Sequence, residues 1–238
     1  MSVSTSREPA KIAGMFDGIA RRYDTLNHLL SAGLDRRWRR QAIRALELGP
    51  ADRMLDMCTG TGDLAVEAVT HAGGAAGTVI GIDFSHEMLR LGLDKVRALG
   101  LAGRIRLTRG DATRVPLPDA SVEAAAVAFG IRNVVDREQG CREFARVLGP
   151  GGRLAILEFG TPQLPGLRQL YQWYFRAVLP KIGGLISGNR DAYAYLPASV
   201  GEFPPPAEFA DVLRRAGFRE VEWKALTFGV VYLYIARK

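Results

Sequence analysis

Asp56-Met57-Cys58-Thr59-Gly60-Thr61-Gly62-Asp63 joins a short apolar run at 53–57 to a stretch of helical pattern at 63–71. A glycine-rich turn between a strand and a helix is where sheets covered by helices bind their ligands, at the carboxyl end of the strand. Gly60, Gly62 and Ala65 fit the spacing G-x-G-x-x-A, and Asp83 follows at about the 20-residue interval of a ribose-binding acid. Taken alone this spacing is a weak signal.

The acids around the turn separate two ligand classes. A pyrophosphate needs backbone N–H groups and a positive helix end without carboxylates nearby. Here Asp56 precedes the loop and Asp63 opens the helix, and both are expected to face the ligand. S-adenosylmethionine has no phosphate and carries an ammonium and a sulfonium, so acids beside it are compatible. Asp83 ends the second strand, where its carboxylate suits two ribose hydroxyls, and Asp111 ends the third, within reach of an adenine amino group. Acids at three successive strand ends select the methyl donor as the cofactor. A helix cap and a turn alone would explain only one of them.

Working outward, strand patterns fall at 53–57, 78–82, 104–108, 122–129 and 153–158, and helical ones at 63–71, 85–99 (capped by Ser85) and 136–148. Alternation of nearly continuous apolar strands with helices predicts a parallel sheet covered on both faces. The Gly149-Pro150-Gly151-Gly152 stretch reads as the turn before the fifth strand. Upstream, 16–47 reads as helical, and the first residues, 1–14, as a short mobile arm. Downstream, a helix at 208–216 precedes strands at 219–225 and 228–236, which predicts an antiparallel hairpin at the sheet edge. The expectation is a Rossmann-like α/β domain with a mostly parallel seven-stranded sheet. It divides into an N-terminal arm and helices (1–49), a cofactor-binding core (50–158), a substrate-cap insertion (159–206) and a C-terminal helix with strands (207–238).

Composition narrows the class. The chain has 238 residues, 47% hydrophobic and 24% charged, a globular balance. No run of about 18 uncharged apolar residues is present, which argues against a spanning helix, and the N-terminus lacks the apolar centre of a signal peptide. Cys58 and Cys141 form no C-x-x-C pair and the three His do not join them, so neither a metal site nor a disulfide framework is expected. The reading is a reduced, cytoplasmic protein. A net charge of +7 permits nucleic acid, an anionic membrane surface or simple solubility. The dense run Asp35-Arg36-Arg37-Trp38-Arg39-Arg40 reads as a solvated helix face.

Two spaced motifs carry a narrower resemblance. Tyr23-Asp24-Thr25-Leu26-Asn27-His28-Leu29-Leu30-Ser31, followed by Trp38, and Arg146-Val147-Leu148-Gly149-Pro150-Gly151-Gly152-Arg153 continuing to Phe159 resemble the signatures of the UbiE/MenG/Coq5 family of C-methyltransferases. Phe129-Gly130-Ile131-Arg132-Asn133-Val134 resembles the family's segment after the fourth strand. Leu26, Asp35, Gly149, Gly160 and Ala128 depart from the family's usual Met, His, Lys, Ser and Ser. Ala128 nevertheless falls at a position beside the cofactor. The resemblance implies methylation of a ring carbon in menaquinone and ubiquinone biosynthesis, most simply demethylmenaquinol to menaquinol, with Thr61, Asp83, Asp111 and Ala112 contacting the donor.

The chemistry adds further requirements. A quinol carbon becomes nucleophilic when an adjacent hydroxyl loses its proton, so the site needs a proton acceptor or a cation for the phenolate. Arg132 is the expected cation, Tyr23, Asn27 and His28 the expected closure from the N-terminal helices. An ion pair for Arg132 and helix packing for Tyr23 and His28 are the plain alternatives. A polyprenyl quinol substrate also brings a lipid tail. Leu167, Leu170, Tyr171, Tyr174 and Val178 recur at helical spacing within 167–186, with Arg168, Gln172 and Arg176 four apart on another side and Pro180 bending or ending the helix. That pattern suits peripheral contact with an anionic membrane surface, or equally a core face. No nucleic-acid partner is expected, since Ala128 to Asn133 holds no Pro-Pro pair of the kind used by amino-methylating DNA enzymes. The competing functions are methylation of another small molecule or nucleic acid, and a non-catalytic cofactor-binding scaffold.

Overall fold

The apolar run before the glycine turn forms β1 (Arg53–Met57), paired in parallel with β2 (Thr78–Asp83) on one side and β4 (Val122–Ala128) on the other. This is a computed structural model, and it describes residues 9–70, 76–174, 177 and 190–238. β3 (Ile105–Arg109) extends the sheet beyond β2, and β5 (Leu148–Phe159) lies parallel beside β4. β7 (Val231–Arg237) runs antiparallel between β5 and the edge strand β6 (Arg219–Leu226). The seven-stranded order is therefore β3-β2-β1-β4-β5-β7-β6. The chain moves outward from β1 to β3, then returns to β4 and moves the other way. The crevice beyond the ends of β1 and β4 is the topological switch point, where such sheets bind ligands.

Alternate residues of each strand enter opposite cores. Leu55, Leu154 and Ile156 pack with Phe144 of α5 (Arg137–Val147) and Phe209 of the C-terminal helix Pro206–Arg215. Met54, Ala155 and Leu157 pack on the other face, with Ile43 of α2 (Leu34–Ala45), Leu64 of α3 (Asp63–Thr70) and Val96 of α4 (His86–Ala98). Two buried faces explain why these strands are apolar throughout. The caps are side chains: Ser85 Oγ accepts from the N–H of Met88 and Asp136 Oδ1 from that of Gln139.

Several expectations are corrected. The N-terminal helical region is two helices, α1 (Pro9–Leu30) and α2, because Ala32 and Gly33 adopt φ of 51° and 75° and Gly33 N–H closes on the His28 carbonyl. Residues 9–14, expected in a mobile arm, belong to α1, while residues 1–8 lie outside the described residues. The Gly-Pro-Gly-Gly turn is part of β5, held by a bulged register on β4 and by reciprocal backbone bonds of Gly151 and Gly152 with Lys238. The charged run at 35–40 is not simply solvated: Asp35, Trp38 and Arg39 are buried, with Arg36, Arg37 and Arg40 outside. In the insertion, α6 (Pro165–Trp173) and α7 (Arg190–Gly201) are described, whereas Arg176, Val178 and Pro180 lie outside the described residues.

Candidate active site

The turn after β1 carries left-handed backbone at Cys58, Gly60 and Gly62, with φ of 56°, 57° and 81°. Asp56 lies beneath it, 1% exposed, and one oxygen accepts from Thr59 Oγ1 at 2.6 Å and from the N–H of Ala65 at 3.1 Å. This acid therefore ties the turn to the first coil of α3 instead of facing the cavities. Burial pushes its pKa up to about 7. Asp83, at the end of β2, accepts from the N–H of Gly60 and of Ser85, each at 2.9 Å. Burial also pushes Asp83 up, against those backbone bonds. A carboxylate has about four acceptor sites, so Asp83 can still accept from a hydroxyl donor.

Asp83, Gly60 and Ala128 line one cleft together with Tyr23, Cys58, Phe129 and Asn133. A Cβ added at Gly60 would meet nothing within 4 Å, so the turn leaves open space beside the acid. Those features fit a ribose-bearing ligand. The remaining residues expected at the cofactor fall elsewhere. Thr61 is turned toward Asp24 and Lys95, at 2.7 and 2.9 Å. Gly62 shapes the turn, its N–H bonded to the Thr59 carbonyl. Asp111 is exposed and accepts from Thr113, while Ala112 is buried in the core. Neither Asp111 nor Ala112 lines the cleft.

A larger cavity of about 340 Å³ adjoins the cleft and shares Phe16, Tyr23 and Phe129 with it. Its walls include Trp38, Phe159, Tyr171, Tyr174 and Tyr195, so the lining is aromatic on several sides. The Phe129 and Phe159 rings stand 4.6 Å apart, and Trp38 Nε1 donates to Thr227 Oγ1 at 2.9 Å, fixing the indole to the turn between β6 and β7. Three of the four catalytic candidates, Tyr23, Asn27 and Arg132, line this cavity. Burial raises the pKa of Tyr23, partly offset by Arg132 and by its bond to Asn27, which favours the neutral phenol. His28 is not in the lining. Its Nδ1 meets Asp35 Oδ2 at 2.6 Å.

Arg132 is 4% exposed and has its own partners. Nη1 bonds Glu158 Oε1 at 3.1 Å and the Phe129 carbonyl, Nε bonds Ser199 Oγ at 3.3 Å, and the guanidinium stands 5.6 Å from the Phe159 ring centre. The plain alternative of an ion pair thus holds, and among the described residues none takes Nη2.

What sequence reasoning missed is a chain of paired charges over the turn. Asp35 Oδ2 pairs with Arg39 at 2.5 Å, Arg39 with Asp63 at 3.3 Å, Asp63 with Lys95 at 2.7 Å and Lys95 with Asp24 at 2.5 Å. Asp63, expected to face the ligand, is occupied by these cations, and burial is outweighed so that its carboxyl lies below the ordinary range. His28, Asp35 and Asp63 gather within 4.8 Å of one another, and the positive charge bonded to both acids is Arg39. The i,i+4 spacing of Asp35 and Arg39 was the available signal. Their partners on α3 and α4 left none.

The sheet order, the glycine turn and the acid ending β2 together give the fold of the class I methyltransferases. The fold is shared, at 18% identity and a TM-score of 0.65, with a Thermotoga maritima structure described as a SAM-dependent methyltransferase, covering 94% of this chain and 98% of that one. It is also shared with the cyclase SpnF, at 19% identity and a TM-score of 0.68, over 95% and 94% of the two chains. The chain belongs to the ubiE/COQ5 methyltransferase family, whose pattern it matches over residues 4–238. It is 47% identical over 233 residues to the ubiquinone/menaquinone biosynthesis C-methyltransferase UbiE of Geobacter sp. (strain M21), covering 98% of each chain. It is 43% identical over 235 residues to the demethylmenaquinone methyltransferase of Mycolicibacterium vanbaalenii, covering 99% of this chain and 98% of that one. The enzyme is a C-methyltransferase and its cofactor is S-adenosylmethionine.

Two expected outcomes follow from this geometry. Asp83→Ala removes the charged acceptor proposed for the ribose; since hydrogen bonds to charged groups contribute about 1.5–3 kcal/mol, donor affinity by calorimetry falls tenfold or more. Unchanged affinity in a folded variant removes the assignment. For Asp56, the folded pKa of about 7 lies above the ordinary carboxylate value, so the fold favours the protonated form. The stability this contributes is full below about pH 4 and is lost as pH rises through about 7. Asp56→Asn, neutral and nearly isosteric, flattens that fall in urea unfolding series; a parallel pH dependence in both proteins contradicts it.

Proposed function

We propose that the chain methylates a ring carbon of a polyprenylated naphthoquinol, demethylmenaquinol to menaquinol, in the large cavity. The observation that carries this reading is the aromatic-walled cavity sharing Tyr23 and Phe129 with the cleft that suits the donor. A cavity of about 340 Å³ is within the usual range for small-molecule sites. Flat aromatic walls suit a fused bicyclic ring. Quinone biosynthesis is supported by the names of the relatives, and the naphthoquinol nucleus by the Mycolicibacterium vanbaalenii and Deinococcus radiodurans relatives, both named demethylmenaquinone methyltransferase.

Bound donor supplies a methyl group already activated on sulfonium. The protein's part is to hold the acceptor carbon in line and keep water away. Gly60 and Asp83 would hold the donor, the aromatic walls and Asn27 surround the ring, and Tyr23 stands where the two cavities meet. Arg132, already neutralised in part by Glu158, directs its remaining N–H groups at a developing phenolate; its permanent charge makes it an electrostatic partner and no base.

The lipid tail leaves on the side of α6. Leu167, Tyr171 and Tyr174 of the expected stripe are half-buried, with the two tyrosines on the cavity wall, whereas Leu170 and Trp173 are 58% and 60% exposed. Tyr174 Oη donates to the Leu30 carbonyl, which brings this end of α6 to the exposed Leu29. Exposed apolar side chains beside the exposed Arg168 suit an anionic lipid surface. No described helix is long and apolar enough to cross a membrane.

The direct test is incubation of purified enzyme with labelled donor and reduced demethylmenaquinone, in parallel with a demethylated ubiquinone precursor, and mass analysis of the products. A methylated naphthoquinol is expected; methylation of the benzoquinol alone reverses the assignment. Arg132→Lys preserves the charge opposite Glu158 and loses the fork, so turnover falls while donor affinity persists. Arg132→Ala is the poorer probe, because a buried acid left unpaired costs about 3–5 kcal/mol. For the surface, anionic vesicles bind the enzyme in a salt-sensitive manner. Leu170→Ser with Trp173→Ser lowers vesicle binding and turnover of long-tailed quinol and spares a short-tailed analogue. Equal loss on both substrates excludes the docking role.

A further inference from the structure

Replacing a ring C–H by C–CH3, with the methyl arriving as a cation equivalent, releases one proton per turnover. This inference rests on the reading of the large cavity as the acceptor site. Most polar groups of its wall are poor acceptors for that proton. Arg39 and Arg132 are permanent cations, and burial raises the Tyr23, Tyr171 and Tyr174 phenols further from ionisation. Among the described lining residues, Asp35 is the one carboxylate.

Asp35 is 3% exposed and connects the cavity to a histidine. Oδ1 accepts from Ser31 Oγ, itself on the cavity wall, at 2.9 Å. Oδ2 meets His28 Nδ1 at 2.6 Å and accepts from Arg39 Nη1 at 2.5 Å. The His28 side chain is 27% exposed and lies outside the cavity lining, so the pair spans from the cavity to water. We propose that Asp35 and His28 form the proton exit of the methyl transfer, carrying the hydroxyl proton of the quinol from the cavity, directly or through Ser31, to the imidazole and from there to solvent. The O–H electron pair stays on oxygen as the phenolate that activates the ring carbon. The hydrogen later displaced from that carbon restores the hydroxyl, so the count closes at one proton released.

The surrounding charge favours this route. Asp35 is faced by His28 from α1, by Ser31 from the turn that follows it and by Arg39 from its own helix. Beyond them stand Asp63 of α3, Lys95 of α4, and Asp24 and Tyr23 of α1. Three carboxylates, Asp24, Asp35 and Asp63, thus meet two cations, Arg39 and Lys95, so the cluster accommodates a positive charge in transit to solvent. Burial alone would raise the Asp35 carboxyl, but Arg39, Ser31 and His28 hold it below the ordinary range, so the proton passes on and does not rest there.

The test is single-turnover methylation of short-tailed reduced demethylmenaquinone from pH 5 to 9. The wild-type rate should rise with pH to a plateau, because the exit works only while the imidazole is free to take up a proton. His28→Gln should lose that limb and lower the plateau by about 10²-fold, the scale of general acid–base contributions. Donor affinity should be unchanged, and added imidazole should restore part of the rate. A His28→Gln enzyme that keeps the limb and plateau overturns the proposal, as does one that loses rate and donor affinity together without imidazole rescue. If His28→Gln does not fold, Asp35→Asn with intact donor binding decides on the same criterion: a retained limb overturns the exit, a lost one supports it. A wild-type enzyme that methylates no quinol at any pH defeats the reading of the cavity, and the proton exit with it.

Discussion

Arg39 stands between two acids from different parts of the chain, Asp35 on its own helix and Asp63 at the start of α3, and the site depends on that bridge. Buried charges are costly to desolvate and persist when each meets an opposite partner with good geometry. Here the pairing continues through Lys95 to Asp24, so α1, α2, the cofactor turn and α4 are joined by one alternating series. The series acts with the bonds of Asp17 to Ser85 and Glu87 and of the Leu30 carbonyl to Tyr174 to hold α1, which supplies one wall of the large cavity. The same bonds set the position of Tyr23 and Asn27, one residue from Asp24 and from His28 respectively.

A second constraint comes from backbone conformation. Left-handed residues at Cys58, Gly60 and Gly62 turn the chain sharply enough for the Gly60 N–H to reach Asp83. Glycine takes such φ values at no steric cost, whereas Cys58 does so because the structure around it enforces the turn. Gly130 is needed for a different reason: a Cβ there would collide with the Cys58 side chain, so β4 and the turn after β1 close on one another only with glycine at that point. The segment that follows then carries Arg132 and Asn133 to the boundary between the cleft and the cavity. Donor and acceptor are thereby confined to one crevice at the switch point of the sheet.

The acids distribute their roles by depth. Asp56 is wholly inside and organises the turn, Asp83 is at the cleft wall, Asp63 is consumed by Arg39 and Lys95, and Asp111 is outside. All four lie at or next to the ends of strands or the starts of helices, and from their positions in sequence all were expected to reach the ligand. Their difference is one of solvent and partners. Of the four, Asp83 alone borders the cleft, where a carboxylate is compatible with a cationic donor and unfavourable for a pyrophosphate.

Read as a string, the chain itself determined the alternation of strands and helices, the C-terminal hairpin, the cap at Ser85, and the glycine turn as the ligand position. These are local properties, set by periodicity, capping and turn chemistry within a few residues. It also placed Tyr23, Asn27 and Arg132 as candidates that the fold brings to one cavity. Tertiary structure alone decided that Asp35 and Arg39 turn inward from a charged run, that Glu158 pairs with Arg132, and that the α6 stripe divides between cavity wall and outer surface. The physical reason is distance along the chain. Trp38 meets Thr227 across 189 residues, Lys95 meets Asp24 across 71, and Arg132 meets Ser199 across 67. A side chain's burial and charge state depend on such partners, and no periodicity within its own segment encodes them.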